Sequence, residues 1–306
     1  MKKKEKILII GMSSISLRHM MILRKKGYKE IYFISKHGLV SKFYKLICLE
    51  NAKKKFFDFI FICCPANERI YYLKNLKNNG KKFFLEKPIS DKMTNLKKMN
   101  FSPYFQKKIY VGYVLRHNPL VKSLLSFCKL RSNGKFIGAQ FISRSYLPNW
   151  RKHIEFKKSV SASRNKGGGV LLELSHELDL IKYLFGNFEI KFSKLTNLRS
   201  LNIDVEERAD LILLDKKSVP INLLLDFSSK KEERIITINF QKNVYQLDFL
   251  KQTLEKNNGV KNSIIKLKNT KNKMFEKQID YFLKTVNFKN SYEDAVYTLN
   301  KISHIR

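Results

Sequence analysis

Two groups of residues in this 306-residue chain have the types and spacing of reacting side chains. The first is Glu86-Lys87-Pro88, which closes the apolar run Phe83-Phe84-Leu85. Such a run reads as a buried strand, and a lysine at the C-terminal end of a strand in an open α/β sheet points into the crevice where ligands bind. Pro88 has no N–H for a sheet ladder and disfavours a helical conformation at Lys87, so the strand ends there. The second group is Glu173, His176 and Asp179, spaced three apart in a segment of helical pattern, so that they project from nearly one face. An imidazole can take or give a proton near neutrality, and a carboxylate beside it can orient it. Either group alone also fits a blander reading, a solvated strand end or a capped polar stripe. A zinc site would want a second histidine on the same helix, so no metal is expected.

The elements needed to position these groups are legible on both sides of them. Residues 6–10 form a β-branched apolar run, followed at once by Gly11-Met-Ser-Ser-Ile-Ser16 and a helical stretch to Lys26, with Gly27 as its C-cap. Residues 30–35 read as a second strand. Strand, turn, helix and strand within about thirty residues is the setting of a dinucleotide fingerprint. The glycines themselves are incomplete: Gly11 keeps the first position, while Ser13 and Ser16 stand at the second and third. The second strand ends in Ser35-Lys36-His37 with no carboxylate for a ribose 2′-hydroxyl, and a hydroxyl beside a cation suits a 2′-phosphate. The expected cofactor is therefore NADP or NAD, with NADP favoured; Lys36 as one more surface lysine is the other reading.

Further strands are expected at residues 59–64, 82–85 and 109–111, with helices at 70–78 and 92–99 between them. This alternation predicts a doubly wound parallel sheet over residues 1–119. Beyond a boundary near 118–120 the pattern changes. A helix at 119–130 and a long strand at 135–145 lead to Tyr146-Leu-Pro-Asn-Trp-Arg151, which holds the only tryptophan. Gly167-Gly-Gly169 then feeds one predicted helix over 170–184; the triplet is expected to offer backbone N–H groups and close approach to a ligand. Five strands at 188–194, 209–214, 220–227, 234–241 and 244–249 suggest an antiparallel sheet, and two helices at 273–285 and 292–304 end the chain. Residues 120–306 are thus expected to form a second, α+β domain.

Composition bounds the rest. The formal charge is +35, from 61 basic against 26 acidic residues. The excess is mostly lysine, scattered rather than gathered into a basic arm, so a solvated surface is favoured over specific nucleic-acid binding. The four cysteines form no CxxC pair, which fits a reducing, cytoplasmic setting. The first apolar run is too short for a signal peptide, and the longest, residues 56–66, contains Asp58 and is about half a membrane span. No membrane partner is expected.

Taken together, Ile7 to Ser16, Asp58 to Pro65, Phe83-Phe84-Leu85-Glu86-Lys87-Pro88, Gly112 to Pro119 and Gly167 to Gly186 resemble the Gfo/Idh/MocA family, the glucose–fructose oxidoreductase and inositol dehydrogenase-like proteins. The likeness runs over nearly the whole chain. Tyr146-Leu-Pro-Asn-Trp-Arg with Ser161-Ala-Ser-Arg-Asn-Lys-Gly-Gly-Gly looks like the branch found in bacterial surface-polysaccharide clusters. The resemblance implies a Rossmann domain and an open-faced, mostly antiparallel sheet with helices on one side. It implies hydride transfer between a nicotinamide and a hydroxyl carbon of a sugar, nucleotide sugar or cyclitol. Lys87 would hold the reacting hydroxyl and be a candidate relay for its proton, His176 would be the general acid/base, and Asp179 would position the substrate or His176. Gly11, Ser13, Ser14, Ile15, Ser35, Lys36, Cys64, Pro65, Asn67, Glu86 and Lys87 would meet the cofactor; Arg116, Trp150, Arg151 and Glu173 would meet the substrate. A homodimer or homotetramer through the C-terminal sheet is implied as well. Departures from the family pattern are Ser13, Ser16, Cys64, Arg69 and Glu173. They leave an alternative: a catalytically impaired member acting as a binding or scaffold protein.

Overall fold

Runs made almost wholly of apolar residues are stable only where both faces of a strand are covered, and such runs build the first sheet. A computed structural model describes residues 4–35, 41–150, 155–268 and 270–306. The strands are β1 (Ile7–Ile10), β2 (Ile31–Ile34), β3 (Lys45–Leu46), β4 (Phe57–Ile62), β5 (Gly80–Leu85) and β6 (Ile109–Val111). Helices α1 (Ser14–Lys25), α2 (Leu49–Lys53), α3 (Ala66–Leu76), α4 (Met93–Lys97) and α5 (Pro103–Gln106) run between them. All six strands are parallel, in the order β3-β2-β1-β4-β5-β6. The two-residue β3 is absent from the sequence reading because Lys45 and Leu46 are both exposed and carry no apolar run.

Strand register decides what this sheet can do. Ile10 lies beside Ile62, Ile62 beside Leu85, and Leu85 beside Val111. The residues that follow these four strand ends therefore share one edge. The strand order reverses next to β1, and ligands of open α/β sheets bind at that switch point, outside the carboxyl ends of the strands.

The second sheet follows the other strand grammar, in which inward and outward residues alternate. After α6 (Pro119–Cys128) come β7 (Phe136–Tyr146), α7 (Val170–Glu173), α8 (Ser175–Phe185) and seven more strands. These are β8 (Phe188–Thr196), β9 (Arg208–Asp215), β10 (Pro220–Asp226), β11 (Ser228–Phe240), β12 (Val244–Asp248), β13 (Thr253–Asn257) and β14 (Asn262–Lys266). The order is β14-β13-β12-β11-β7-β10-β9-β8, antiparallel throughout except between β7 and β10. Phe141, Leu211, Leu223, Ile236 and Leu247 are buried on one face. Phe185 of α8 stacks on Phe136 of β7 at 4.8 Å, which places a helix on the covered face. The opposite face carries Gln140, Ile142, Ile212, Asn222, Leu224 and Ile235, none of them buried. Strands β13 and β14 were not expected: Thr-Leu-Glu-Lys-Asn and Asn-Ser-Ile-Ile-Lys pair at an edge without an apolar alternation to announce them.

The chain ends in α9 (Thr270–Lys284) and α10 (Ser291–Ile305). Two compact units result, residues 1–113 with 275–300, and residues 114–274 with 301–306. The returning segment completes the first core. Phe282 packs against Phe59, Phe61 and Phe84, and the Ser291 hydroxyl accepts the Val111 N–H at 2.9 Å. Buried Lys82 donates to the carbonyls of Phe282, Leu283 and Thr285 at 2.7–3.1 Å, satisfying the orphan carbonyls at the end of α9. Among the described residues, no helix is long and apolar enough to cross a membrane.

Candidate active site

The first candidate group sits in the first unit, at the edge fixed by strand register. Gly11 follows β1 with φ +90°, and a Cβ there would lie 2.7 Å from the backbone nitrogen of Cys64. Only glycine tolerates both the left-handed backbone and that approach. The serines that replace the later glycines act locally. Ser13 is the N-cap of α1: its hydroxyl accepts the Ser16 N–H, and the Ser16 hydroxyl accepts the Ser13 N–H at 2.7 Å. This reciprocal capping box keeps the turn tight without a third glycine and uses two N–H groups that a phosphate would otherwise meet. The amides of Ser14 and Ile15 lie in the first turn, where intrahelical partners are lacking and the helix dipole favours an anion. A turn held by Gly11, opening a twelve-residue helix at the sheet's switch point, fits the pyrophosphate of a dinucleotide.

Two strands away, about 10 Å across the sheet, stand Glu86 and Lys87. Glu86 is buried, its N–H bonds to the Ile62 carbonyl at 3.0 Å, and the Lys87–Pro88 peptide is cis. The carboxylate meets Nε2 of His19 at 2.8 Å and accepts the Lys87 N–H at 3.3 Å. His19, on α1, is fully buried among Phe61, Phe84 and Phe275, with ring centroids 4.9–6.4 Å away. Arg69, on α3, is also buried; it donates to the Cys64 carbonyl at 2.9 Å and to the Pro88 carbonyl. Burial pushes the Glu86 carboxyl up, but His19, through its hydrogen bond and charge, and then Arg69 and Lys87 outweigh it and hold the group below the usual carboxylate value.

A group with a depressed native pKa stabilises the fold above its unfolded value and loses that stabilisation as pH falls through the native one. Glu86→Gln is therefore expected to destabilise the protein at neutral pH and to differ from wild type progressively less as pH falls below the ordinary carboxylate range, as read by urea unfolding at a neutral and an acid pH. An equal difference at both would show that the ionised form contributes nothing.

His19 has no place among the site residues expected from sequence. Its signal was present: it shares the core-facing side of α1 with Met20, Ile22 and Leu23, and a buried imidazole needs a polar partner. Arg69, noted only as a departure, stands at the start of α3 with its guanidinium turned inward.

The second candidate group belongs to the other unit, and there the structure corrects two expectations. The helix expected over 170–184 is two. Leu174, at φ −99° and ψ 25°, separates α7 from α8, and the Glu177 N–H bonds to the Leu174 carbonyl at 3.2 Å instead of continuing the α pattern. Glu173 thus closes a separate short turn, whereas His176 and Asp179 share α8; Glu173 and His176 are half-buried and Asp179 is fully buried. The glycine triplet is also not a ligand cradle. The N–H groups of Gly167, Gly168, Gly169 and Val170 bond to the carbonyls of Arg164, Ser163, Ser161 and Glu206 at 2.9–3.1 Å. A Cβ on Gly168 would strike the Val160 and Ser161 carbonyl oxygens at 2.2 and 2.6 Å, so the close approach these glycines permit is to their own chain.

Asp179 makes a bidentate pair with Arg116, Nε to Oδ2 at 2.9 Å and Nη2 to Oδ1 at 2.6 Å. The guanidinium also lies 5.0 Å from the centroid of the Tyr183 ring. Asp179 thus sets the orientation of Arg116. Trp150 donates its indole N–H to the Ser145 hydroxyl at 2.9 Å and packs edge-on against Phe227. Of the remaining expected residues, Ser35, Cys64, Pro65 and Asn67 follow the strand ends or start α3 in the first unit, while Lys36 and Arg151 lie outside the described residues. Among the described residues, no three His, Cys, Asp or Glu side chains gather as a metal site.

At the level of sequence, neither a protein-family profile nor a curated protein matches the chain. Solved structures match over almost its whole length. A 3-ketoreductase from Actinomadura kijaniata, in complex with NADP and TDP-benzene, superposes with a TM-score of 0.82 at 12% identity, covering 97% of this chain and 95% of its own. Levoglucosan dehydrogenase in complex with NADH gives 0.82 at 12%, over 98% and 95% of the two chains. The chain has the fold of the Gfo/Idh/MocA-type oxidoreductases. The fold spans varied substrates, since biliverdin reductase from Synechocystis sp. PCC 6803, in complex with biliverdin and NADP+, matches at 0.78 and 12% identity over 99% and 98% of the chains. Identities this low establish architecture, and the chemistry must be argued from the residues.

Proposed function

We propose that the chain is an NAD(P)-dependent oxidoreductase of the Gfo/Idh/MocA family, acting on a hydroxyl carbon of a sugar, nucleotide sugar or cyclitol. The observation that carries this reading is the convergence, on one edge of the first sheet, of the Gly11 turn, the start of α1 and the Glu86-Lys87-Pro88 segment. Gly11 with the amides of Ser14 and Ile15 would hold the pyrophosphate, and Ser13 shapes the turn. Ser35 and Lys36 would face the ribose, with Lys36 favouring a 2′-phosphate. Cys64, Pro65, Asn67 and Glu86 would line the nicotinamide side. A bound nicotinamide accepts or supplies the hydride. Lys87 would hold the reacting hydroxyl, and His176 would take its proton when the carbon is oxidised and return it on reduction. Arg116, oriented by Asp179, would grip the substrate together with Trp150, Arg151 and Glu173. A role in surface-glycan synthesis and a cytoplasmic setting, where thiols stay reduced, suit this chemistry and the four free cysteines.

The capping box favours a second reading, because it occupies two amides of the phosphate turn: a binding protein on the same fold that has lost the cofactor. One experiment separates the two. Purified protein is titrated with NADPH and NADH by nucleotide fluorescence, then assayed with NADP+ or NAD+ against glucose, myo-inositol and UDP-N-acetylglucosamine. Saturable enhancement below about 1 mM supports the enzyme. No enhancement with either nucleotide sinks it.

The uncovered face of the second sheet, with Ile142, Ile212, Leu224 and Ile235 between polar neighbours, would pair with a second copy. Sedimentation is expected to give a dimer or tetramer. A monomer at tens of micromolar would exclude this pairing.

A further inference from the structure

We propose that His19 and Arg69 are positioning residues that hold the Glu86–Pro88 segment, and with it Lys87, at the sheet edge. The segment is gripped at both ends from its buried side. At one end the Glu86 carboxylate bonds to Nε2 of His19 at 2.8 Å and to the Lys87 N–H at 3.3 Å. A carboxylate only accepts, so Nε2 carries the proton and donates it to the bond. At the other end Arg69 bridges the Pro88 carbonyl to the Cys64 carbonyl, which ties the turn after Lys87 to the turn after β4. Lys87 lies between these anchors and is half-buried, so its backbone is fixed on both sides.

The placement of this network matters as much as its bonds. His19 lies five residues beyond Ser14, about 7–8 Å along the helix from its first turn. Its bond to Glu86 therefore links the helix proposed to meet the pyrophosphate with the segment that carries the amine. Nδ1 of His19 finds no hydrogen-bond partner among the described residues, so the imidazole is retained there at the cost of a buried orphan nitrogen. Buried ionic groups seldom stabilise a fold relative to apolar side chains of the same volume, and their best-attested contribution is to fix one geometry. A reacting group must be held to within about 0.5 Å by supports whose own positions are locked, and the aromatic cage around His19 locks it.

The inference deepens the role proposed for Lys87 and rests on it, but its test does not need turnover. Hydrogen–deuterium exchange of the full chain would follow the peptide spanning residues 86–90 in wild type, His19→Leu, His19→Gln and Arg69→Met. Leucine fills the aromatic cage but cannot donate; glutamine places an amide N–H near Nε2 but packs less well. His19→Leu and Arg69→Met are expected to speed exchange of residues 86–90 about tenfold or more while β4 is unchanged, and His19→Gln to stay near wild type. Protection kept by leucine and lost in glutamine would reduce His19 to a packing residue and overturn the proposal. Where NADPH- or NADH-linked turnover is found, His19→Leu should lower kcat about 10- to 100-fold with cofactor Kd within a few-fold, and His19→Gln should restore most of it. Unchanged kcat with weakened cofactor binding would overturn it too. Lack of turnover in the wild type removes the enzymatic reading and leaves the exchange result to decide whether His19 and Arg69 order the segment.

Discussion

Lys87→Met is expected to lower kcat by about 10²–10⁴-fold while cofactor affinity stays within about tenfold. Methionine keeps the length and flexibility of the lysine stem and deletes only the charged head, so the backbone between Glu86 and Pro88 has no reason to move. The loss would arise at the reacting hydroxyl, which would no longer have an ammonium to hold its oxygen. Single-turnover hydride transfer, followed by nicotinamide absorbance, separates this step from binding. Equal rates in mutant and wild type would remove Lys87 from the chemistry.

The second large effect is on stability. Asp179 is fully buried and accepts both prongs of the Arg116 guanidinium, whose side chain is 20% exposed. Asp179→Ala leaves that cation without its carboxylate, a change that costs about 3–5 kcal/mol when a buried pair is broken from one side. Removing both partners together, as Arg116→Met with Asp179→Leu, is expected to cost much less, because no uncompensated charge remains. Urea unfolding of the single and double variants forms the required cycle. A single-variant cost under about 1 kcal/mol would mean that water already screens the pair.

The central strands of the first sheet could be read because parallel strands buried on both faces leave unbroken apolar runs, as in Ile7–Ile10 and the run through Phe83-Phe84-Leu85. Lys87 was legible for the same reason, since proline marked where its strand stopped. The second sheet was legible only where one face is buried; β13 and β14, at the open edge, are mostly polar and left no periodic signal. Glycines deceived more than any other type. The triplet before α7 has the look of a ligand turn, yet its amides are spent on the carbonyls of Arg164, Ser163 and Ser161 in the loop just before it. Likewise His19 and Glu86 are 67 residues apart, and no local pattern links them. The chain passes between its two units three times, after Tyr113, after Met274 and after Asn300, and the later passages follow from no composition change near them.

That return has a kinetic meaning. Phe59, Phe61, Phe84 and Lys82 find their partners Phe282 and the end of α9 some two hundred positions later. During synthesis these rings therefore stay uncovered until the segment that carries Phe282 has been made. Its neighbour, built from an almost unbroken stretch, is free to fold first.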